Sequence, residues 1–228
     1  MYDATTFYDI VSRFAKDFYV PDILPPRATC IFILESPHIQ EVKHRVPAAG
    51  SSGATMSKHL FGPIFGSTPI GLLLKQHDET PEENPILDHI GLVNVCNVPL
   101  QKAAYKPMPN LSECSEVQLE MWFSDMEYVR TNNQRVGYRA DRQNQIEHWL
   151  TANLREKLDK LRGKQITLVP CGRFAQKYTR LCDVHDVQWK TIEDVPHPSY
   201  NSWDRPRYRS QIAAIRQALA AVSDHGTP

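Results

Sequence analysis

A chain of 228 residues is long enough to bury the core of one sizeable domain or two small ones. Its 26 basic and 26 acidic side chains cancel, which excludes a global positive field, so a nucleic acid would have to bind a local basic patch. The start, MYDATTFYDI, has no signal-peptide pattern, and no run approaches the roughly 20 apolar residues of a membrane span. We therefore expect a cytoplasmic protein that does not enter a membrane.

The predicted elements alternate between helices and strands. Apolar stripes at helical spacing predict three helices, and four short apolar runs predict strands. In chain order these are the stripe Phe7, Ile10, Val11, Phe14 and Phe18, the strands Cys30–Leu34 and Ile90–Val95, the stripe Ile146, Trp149, Leu150, Leu154, Leu158 and Leu161, the strands Ile166–Val169 and Val187–Ile192, and the stripe Ile212, Ile215, Leu219 and Val222.

The first three strands are almost continuously apolar, as expected when helices cover both faces of a parallel sheet, whereas the fourth alternates like an edge strand. We predict one α/β domain over 1–228, a three-layer α/β/α arrangement around a central, mostly parallel four-stranded sheet, with a frayed tail at 223–228. Pro, Gly and Ser predict loops at Val20–Arg27, Pro47–Thr55, His77–Asp88 and Pro196–Pro206.

Polar residues follow the strands where an open parallel sheet binds its ligands, beyond the carboxyl ends. Glu35 and Ser36 follow the first strand, Asn94 lies in the second, and His197 follows the fourth. Each also has a structural interpretation: Glu35 as a helix cap, Asn94 as a buried amide with a fixed partner, and His197 as a loop histidine. Their convergence favours a functional site.

Four segments in order resemble the uracil-DNA glycosylase superfamily: IFILESPH (31–38), GLVNVCNVPL (91–100), ITLVPCGRFAQKY (166–178) and PHPSYNSW (196–203). The resemblance implies a monofunctional DNA glycosylase that flips a pyrimidine out of DNA and hydrolyses its N-glycosidic bond, leaving an abasic site. It assigns base reading to Asn94, whose amide suits either uracil or cytosine. It also assigns a hydrogen bond to the base O2 to His197, and a phosphate contact to Ser199.

The segment after the first strand departs from the family pattern. Many members have Asp or Asn where Ser36 stands, so Glu35, Ser36 or a carboxylate from elsewhere is left to position the water, and we favour Glu35. His38 replaces the Tyr that excludes C5 substituents in strict uracil enzymes, and a long loop over Ile39–Thr55 follows it. We therefore expect room for a modified or bulky base. The side chain that stacks on the base is predicted among Phe61, Phe65 and Met56.

The segment after H-P-S implies DNA contacts. Tyr200, Asn201 and Trp203 stand where the family inserts a wedge into the base stack. Arg205, Arg207 and Arg209 would contact phosphates if they share a face, and a solvated helix start is the alternative. A second basic area comprises Lys43, His44, Arg45, Lys58 and His59.

The expected partner is DNA, bound by a monomer. The substrate is either uracil or a modified pyrimidine, including the glucosylated hydroxymethylcytosine of phage DNA on which one branch of the superfamily acts, so repair and anti-phage defence both remain open. The family's iron–sulfur branch uses a close N-terminal cysteine pair that is missing here, and we expect no metal and no cofactor. We expect the cysteines to be reduced and structural. They are Cys30, Cys96, Cys114, Cys171 and Cys182.

Two other functional classes remain as alternatives. The first is a catalytically silent DNA- or nucleotide-binding module on the same fold, which the residue at Ser36 favours. The second is an unrelated α/β hydrolase that acts on a small-molecule glycoside through Glu35 and His197, against which the arginine cluster argues.

Overall fold

The central element of the protein is a four-stranded, all-parallel sheet in the order β2-β1-β3-β4. The computed structural model describes residues 4–80, 85–106 and 115–223. The strands are β1 (Cys30–Leu34), β2 (Ile90–Asn94), β3 (Ile166–Pro170) and β4 (Trp189–Thr191). The predicted parallel sheet and the edge position of the fourth strand are confirmed. That strand is three residues long rather than six, because it pairs only with Ile166–Leu168 of β3 and Val187 is fully exposed.

Eight α-helices surround the sheet in the described part of the chain. They are α1 (Ala4–Phe18), α2 (Ile39–His44), α3 (Ser51–Phe61), α4 (Ile70–Glu79), α5 (Glu116–Thr131), α6 (Asp141–Asp159), α7 (Gly172–Cys182) and α8 (Arg209–Ser223). Short 3-10 turns occupy Pro63–Phe65, Pro85–His89, Lys102–Ala104, Ser202–Asp204 and Pro206–Tyr208. Within the described residues, no helix combines the length and apolar character needed to cross a membrane.

Two apolar cores, one on each face of the sheet, establish the three-layer α/β/α arrangement. Alternation along β1 sends Ile31 and Ile33 to the face covered by α1, α5, α6 and α7. The same alternation sends Cys30, Phe32 and Leu34 to the face covered by α3, α4 and α8. Most residues of the predicted stripes of α1, α6 and α8 are buried, whereas Val11 and Trp149 are half-buried and the side chain of Val222 lies outside the described residues. Cys114 and the predicted tail beyond Ser223 lie outside the described residues.

The segment between β1 and β2 is more helical than the sequence indicated. The loop predicted over Pro47–Thr55 is wrong beyond Gly50, because α3 begins at Ser51. Tertiary contacts outweigh the high Gly and Ser content here: a Cβ on Gly53 would lie 1.8 Å from the carbonyl oxygen of Ala48, so the small residue lets the helix pack directly on the preceding chain. This close packing brings the start of α3 to the carboxyl edge of the sheet.

Candidate functional site

A cavity of about 490 Å³ opens at the carboxyl edge of the sheet, where Glu35, Ser36 and His197 converge. The end of β1 forms one wall, the starts of α2 and α3 form another, and α5 and the H-P-S loop close the remainder. The lining includes Leu34, Glu35, Ser36, His38, Gln40, Glu41, Ala48, Met56, Gln101, Arg130, His197, Ser199 and Tyr200. Its size falls within the roughly 300–1,000 Å³ typical of small-molecule pockets.

Glu35 is held at the cavity by an arginine from α5. The Arg130 guanidinium lies 3.3 Å from Oε1 of Glu35 and is itself held by Glu127, at 2.6 and 3.2 Å. Burial raises the pKa of Glu35 above its ordinary value, and the positive charge of Arg130 opposes this rise. The arrangement keeps an ionisable carboxylate in a cavity with a cation beside it.

His197 lines the cavity, and one of its two ring nitrogens is occupied by a contact within its own loop. Nδ1 accepts a hydrogen bond from the backbone N–H of Ser199 at 3.2 Å and lies 2.8 Å from its hydroxyl. Burial, reinforced by the nearby Arg130, lowers the pKa of His197 to about 4. Since a backbone N–H can only donate, the neutral ring carries its proton on Nε2. Nε2 has no hydrogen-bond partner among the described residues and is available as a donor.

Gly172, which begins α7, sets the position of the His197 ring. Its φ of +86° is in the left-handed region, and a Cβ there would lie 2.8 Å from Cβ of His197. Both facts require glycine, because a side chain would be strained and would push the imidazole away. The Gly turn that resembled the family motif therefore supports the histidine directly.

Asn94 is completely buried, and its amide lacks the fixed partner that the sequence interpretation required. Neither Nδ2 nor Oδ1 has a hydrogen-bond partner in the described part of the chain, whereas its backbone N–H donates to Asp22 and its carbonyl accepts from Lys157. The structural interpretation, in which this amide has a fixed partner in the protein, is therefore wrong for the described residues. Asn94 does not itself line the cavity, but it pairs in register with Leu34, which does, and alternation places both side chains on the same face.

Asn97, the other amide after β2, is a structural residue. Its Nδ2 donates to Val20 and Asp22, and its Oδ1 accepts from Lys157, which also pairs with Asp22 at 3.0 Å. This network fixes the backbone on which Asn94 lies.

The sequence interpretation did not single out several lining residues, and those with long polar or charged side chains are Gln40, Glu41, Gln101 and Arg130. A local signal existed only for Glu41, which stands at the third position of α2 and accepts the backbone N–H of His38, as a capping glutamate does. Arg130 meets Glu35 across 95 positions of sequence, and no local pattern indicates such a contact.

The predicted base-stacking residues separate in the structure. Met56 is fully buried and lines the cavity. Phe61 and Phe65 pack edge to face on one another, with ring centroids 5.8 Å apart, and lie outside the cavity lining. Of the three side chains, Met56 is the one placed to contact a bound ring. The exposed His38 and the half-buried Ser36 lie in the lining as well, as their position after β1 predicted.

The loop after H-P-S presents one exposed aromatic residue and buries another. Tyr200 is 90% exposed and has a left-handed φ of 54°, as does the neighbouring Asn201 at 50°. Trp203 is only 2% exposed, and its Nε1 donates to the carbonyl of Pro196 at 2.8 Å. The prediction of Trp203 as a DNA contact is therefore wrong, because this indole is a core residue that anchors the loop.

The arginines that follow are exposed but do not lie on one extended strand. Arg205 precedes a 3-10 turn, Arg207 lies within it, and Arg209 begins α8. Side chains two positions apart in helical backbone point in different directions, so the shared face expected of a strand or loop is wrong. In the second basic area, Lys58 and His59 both bind Asp204, at 2.7 and 3.0 Å, and hold the H-P-S loop against α3.

A second cavity of about 560 Å³ lies on the other side of the H-P-S loop. It shares Glu35, His197, Ser199 and Tyr200 with the first cavity and adds the start of α7. Both cavities thus meet at the same carboxylate and imidazole.

The cysteines of the described residues lie in the core of the protein. Cys30, Cys96, Cys171 and Cys182 are buried free thiols, and burial raises the pKa of Cys30, Cys96 and Cys182 to about 12. Within the ranges that the structure describes, no group of three or more His, Cys, Asp or Glu side chains is arranged to hold a metal ion. No protein-family model matches the chain, and a search of curated proteins found no match.

Proposed function

We propose that the protein is a monofunctional DNA glycosylase of the uracil-DNA glycosylase superfamily that hydrolyses the N-glycosidic bond of a flipped pyrimidine. The observation that carries the proposal is the convergence of Glu35 and the free Nε2 of His197 on one cavity at the carboxyl edge of the sheet. Base excision needs a carboxylate on the sugar side and a hydrogen-bond donor on the base side.

The proposed reaction separates charge across the cavity. The bond from the sugar C1′ to the base nitrogen breaks, and both electrons leave with the base, so the sugar becomes cation-like and the base anionic. Water adds its oxygen to C1′, and Glu35 accepts the proton. His197 donates a hydrogen bond from Nε2 to the base O2, and its low pKa keeps the ring a neutral donor. The Arg130 cation favours the ionised form of Glu35 that this step requires.

Base recognition is proposed for the unpaired amide of Asn94. A buried amide without a partner costs roughly 1–3 kcal/mol, so a ligand that satisfies it recovers that free energy. Leu34, the register partner of Asn94, lines the cavity, and we propose that a displacement of the Leu34 side chain gives the base edge access to the amide.

The preferred substrate is proposed to be a modified or bulky pyrimidine. A cavity of about 490 Å³ is of a size that holds drug-sized ligands and exceeds the needs of an unmodified pyrimidine ring. Its polar lining beyond the reacting groups includes His38, Gln40 and Gln101. These side chains can hydrogen-bond to polar substituents at C5.

DNA binding is proposed through the exposed loop and its arginines. Tyr200 projects at the mouth of both cavities, where an aromatic ring can fill the space vacated by the flipped base. Arg205, Arg207 and Arg209 supply positive charge for phosphates on several sides of the same segment.

Incubation with duplex oligonucleotides followed by alkali tests the proposal. The duplexes carry uracil, a thymine mismatch, 5-hydroxymethylcytosine or its glucosylated form. We expect alkali-labile breaks, with a preference for the bulky bases, that Glu35→Gln abolishes and the surface control His185→Asn does not. DNA binding without breaks on any duplex would instead favour the silent binding module.

A further inference from the structure

Glu41 uses both carboxylate oxygens to bridge two backbone positions in the cavity wall. Oε2 accepts the N–H of His38 at 2.7 Å, and Oε1 accepts the N–H of Ala48 at 2.6 Å. His38 and Ala48 are ten residues apart, and both line the cavity together with Glu41 itself. One side chain therefore closes the loop that contains α2.

The backbone at Ala48, which Glu41 holds from one side, is also fixed by its contacts with α3 and α4. Ala48 has a left-handed φ of 51°, which costs free energy for any residue with a Cβ. Its carbonyl accepts the N–H of Gly71, and Gly53 packs so closely that a Cβ there would lie 1.8 Å from the same oxygen. Helices α3 and α4 thus hold the outer side of Ala48, and the carboxylate of Glu41 holds its N–H.

We infer that Glu41 is a positioning residue, whose ionised carboxylate holds the wall formed by residues 38–52 in the shape that receives the base. The catalytic part of this inference rests on the proposed function, whereas the bridge itself does not. Neither oxygen can be replaced by an amide nitrogen, because both partners are N–H donors.

The electrostatic surroundings make the bridge sensitive to pH. Burial raises the pKa of Glu41 to about 7, and Glu35 across the cavity adds to this rise, while the two backbone N–H groups oppose it. Other titratable or charged groups lie near this carboxylate. On α2 and at its two ends they are His38, Lys43, His44 and Arg45, and in the cavity lining there is also Arg130. Lys102, on the turn that contacts α2, is paired with Glu120. Protonation removes one acceptor, so the bridge weakens as pH falls through this range.

Proton–nitrogen correlation spectra of the whole chain test the bridge without requiring activity. We expect the amide protons of His38 and Ala48 to shift together between pH 5 and 9, and the shift to disappear in Glu41→Gln. His38→Asn keeps the backbone amide and removes the neighbouring imidazole, so the Ala48 shift must persist there if Glu41 causes it. Glu156→Gln, at an exposed ion pair on α6, is the matched control. Amide shifts of His38 and Ala48 that are the same in the unmodified chain and in Glu41→Gln at every pH would overturn the inference.

Kinetics on the preferred duplex test the positioning role. Losing a charge-assisted hydrogen bond in the wall should raise KM on the order of 10-fold or more and leave kcat nearly unchanged, with Glu41→Asp closer to the unmodified chain than Glu41→Gln. An unchanged KM in Glu41→Gln overturns the role. If the unmodified chain releases no base, the proposed function fails, and the amide titration still decides whether the bridge exists.

Discussion

The Nδ1 atom of His197 accepts the backbone N–H of Ser199, two residues further along the same loop. This contact determines the tautomer of the ring and leaves its remaining proton on Nε2. The serine of the H-P-S motif thus orients the histidine of the same motif, and this contact requires that the two residues lie two positions apart. The donor is a neutral imidazole, since the pKa of His197 lies near 4.

The neutrality of His197 predicts a pH-dependent loss of stability. Its pKa is about 6.5 in the unfolded chain and about 4 in the folded one, so only the unfolded chain takes up a proton between these values. This residue's contribution to stability therefore falls as pH drops from 6.5 to 4. Urea unfolding at pH 7 and 4.5 should show a smaller decrease for His197→Asn than for the unmodified chain. A His197 ring that titrates near 6.5 by NMR would contradict this.

Gly172 and Gly163 form a matched pair for testing the support of His197. Both have left-handed φ, at 86° and 77°, but only at Gly172 would a Cβ meet another residue. Gly163→Ala should cost about 1–2 kcal/mol of unfolding free energy from backbone strain and leave base release intact. Gly172→Ala should cost more and abolish base release, because it displaces the imidazole. Equal activity in the two variants would show that Gly172 does not position His197.

Replacing Arg130 should shift the pH dependence of turnover. The guanidinium lowers the pKa of Glu35, so Arg130→Gln lets burial raise that pKa further. If turnover requires ionised Glu35, the acid limb of the pH profile for kcat moves to higher pH. The control is Arg162→Gln, which removes an arginine from an exposed ion pair with Asp159. An acid limb that stays in place would argue against Glu35 as the ionised group.

Tyr200 and Trp203 should respond in opposite ways to alanine substitution. Tyr200→Ala leaves the thermal midpoint unchanged, because the ring is exposed, and weakens DNA binding and turnover together. Trp203→Ala removes a buried indole and should cost about 3–5 kcal/mol of unfolding free energy. Denaturant unfolding and DNA-binding titrations separate the two effects. A fully active Tyr200→Ala enzyme would rule out the wedge.

Asn94→Leu should stabilise the protein while it removes function. Leucine is close in size to asparagine and eliminates an unpaired buried amide whose presence costs roughly 1–3 kcal/mol. The urea midpoint should rise, and base release should disappear because the base edge is no longer read. Destabilisation would indicate that the amide has a partner in solution.

The sequence predicted the sheet well because fully buried parallel strands leave a continuous apolar signal. The ends of β1 and β2 therefore placed Glu35 and Asn94 at the correct edge. Trp203 was not predictable, since an aromatic residue after a turn can pack inward or project, and a hydrogen bond to Pro196 decides between them. Arg130 required knowledge of how α5 packs against the end of β1, which depends on contacts distant in sequence.

The segment between β1 and β2 shows the limit of composition as a guide. Glycine and serine at Gly50–Gly53 suggested a loop, but the glycine allows close helix packing instead. The same packing places Met56 rather than Phe61 or Phe65 at the cavity. Local propensity is weaker here than the free energy of burying the start of α3.

Release of the free base from a duplex under single-turnover conditions, measured by mass spectrometry, tests the central claim most directly. The account predicts that the unmodified chain releases a pyrimidine and leaves an abasic site, that Glu35→Gln and His197→Ala bind the same duplex without releasing it, and that a modified base is released faster than uracil. Base release that survives unchanged in both variants, or none by the unmodified chain from any pyrimidine duplex, would contradict the account.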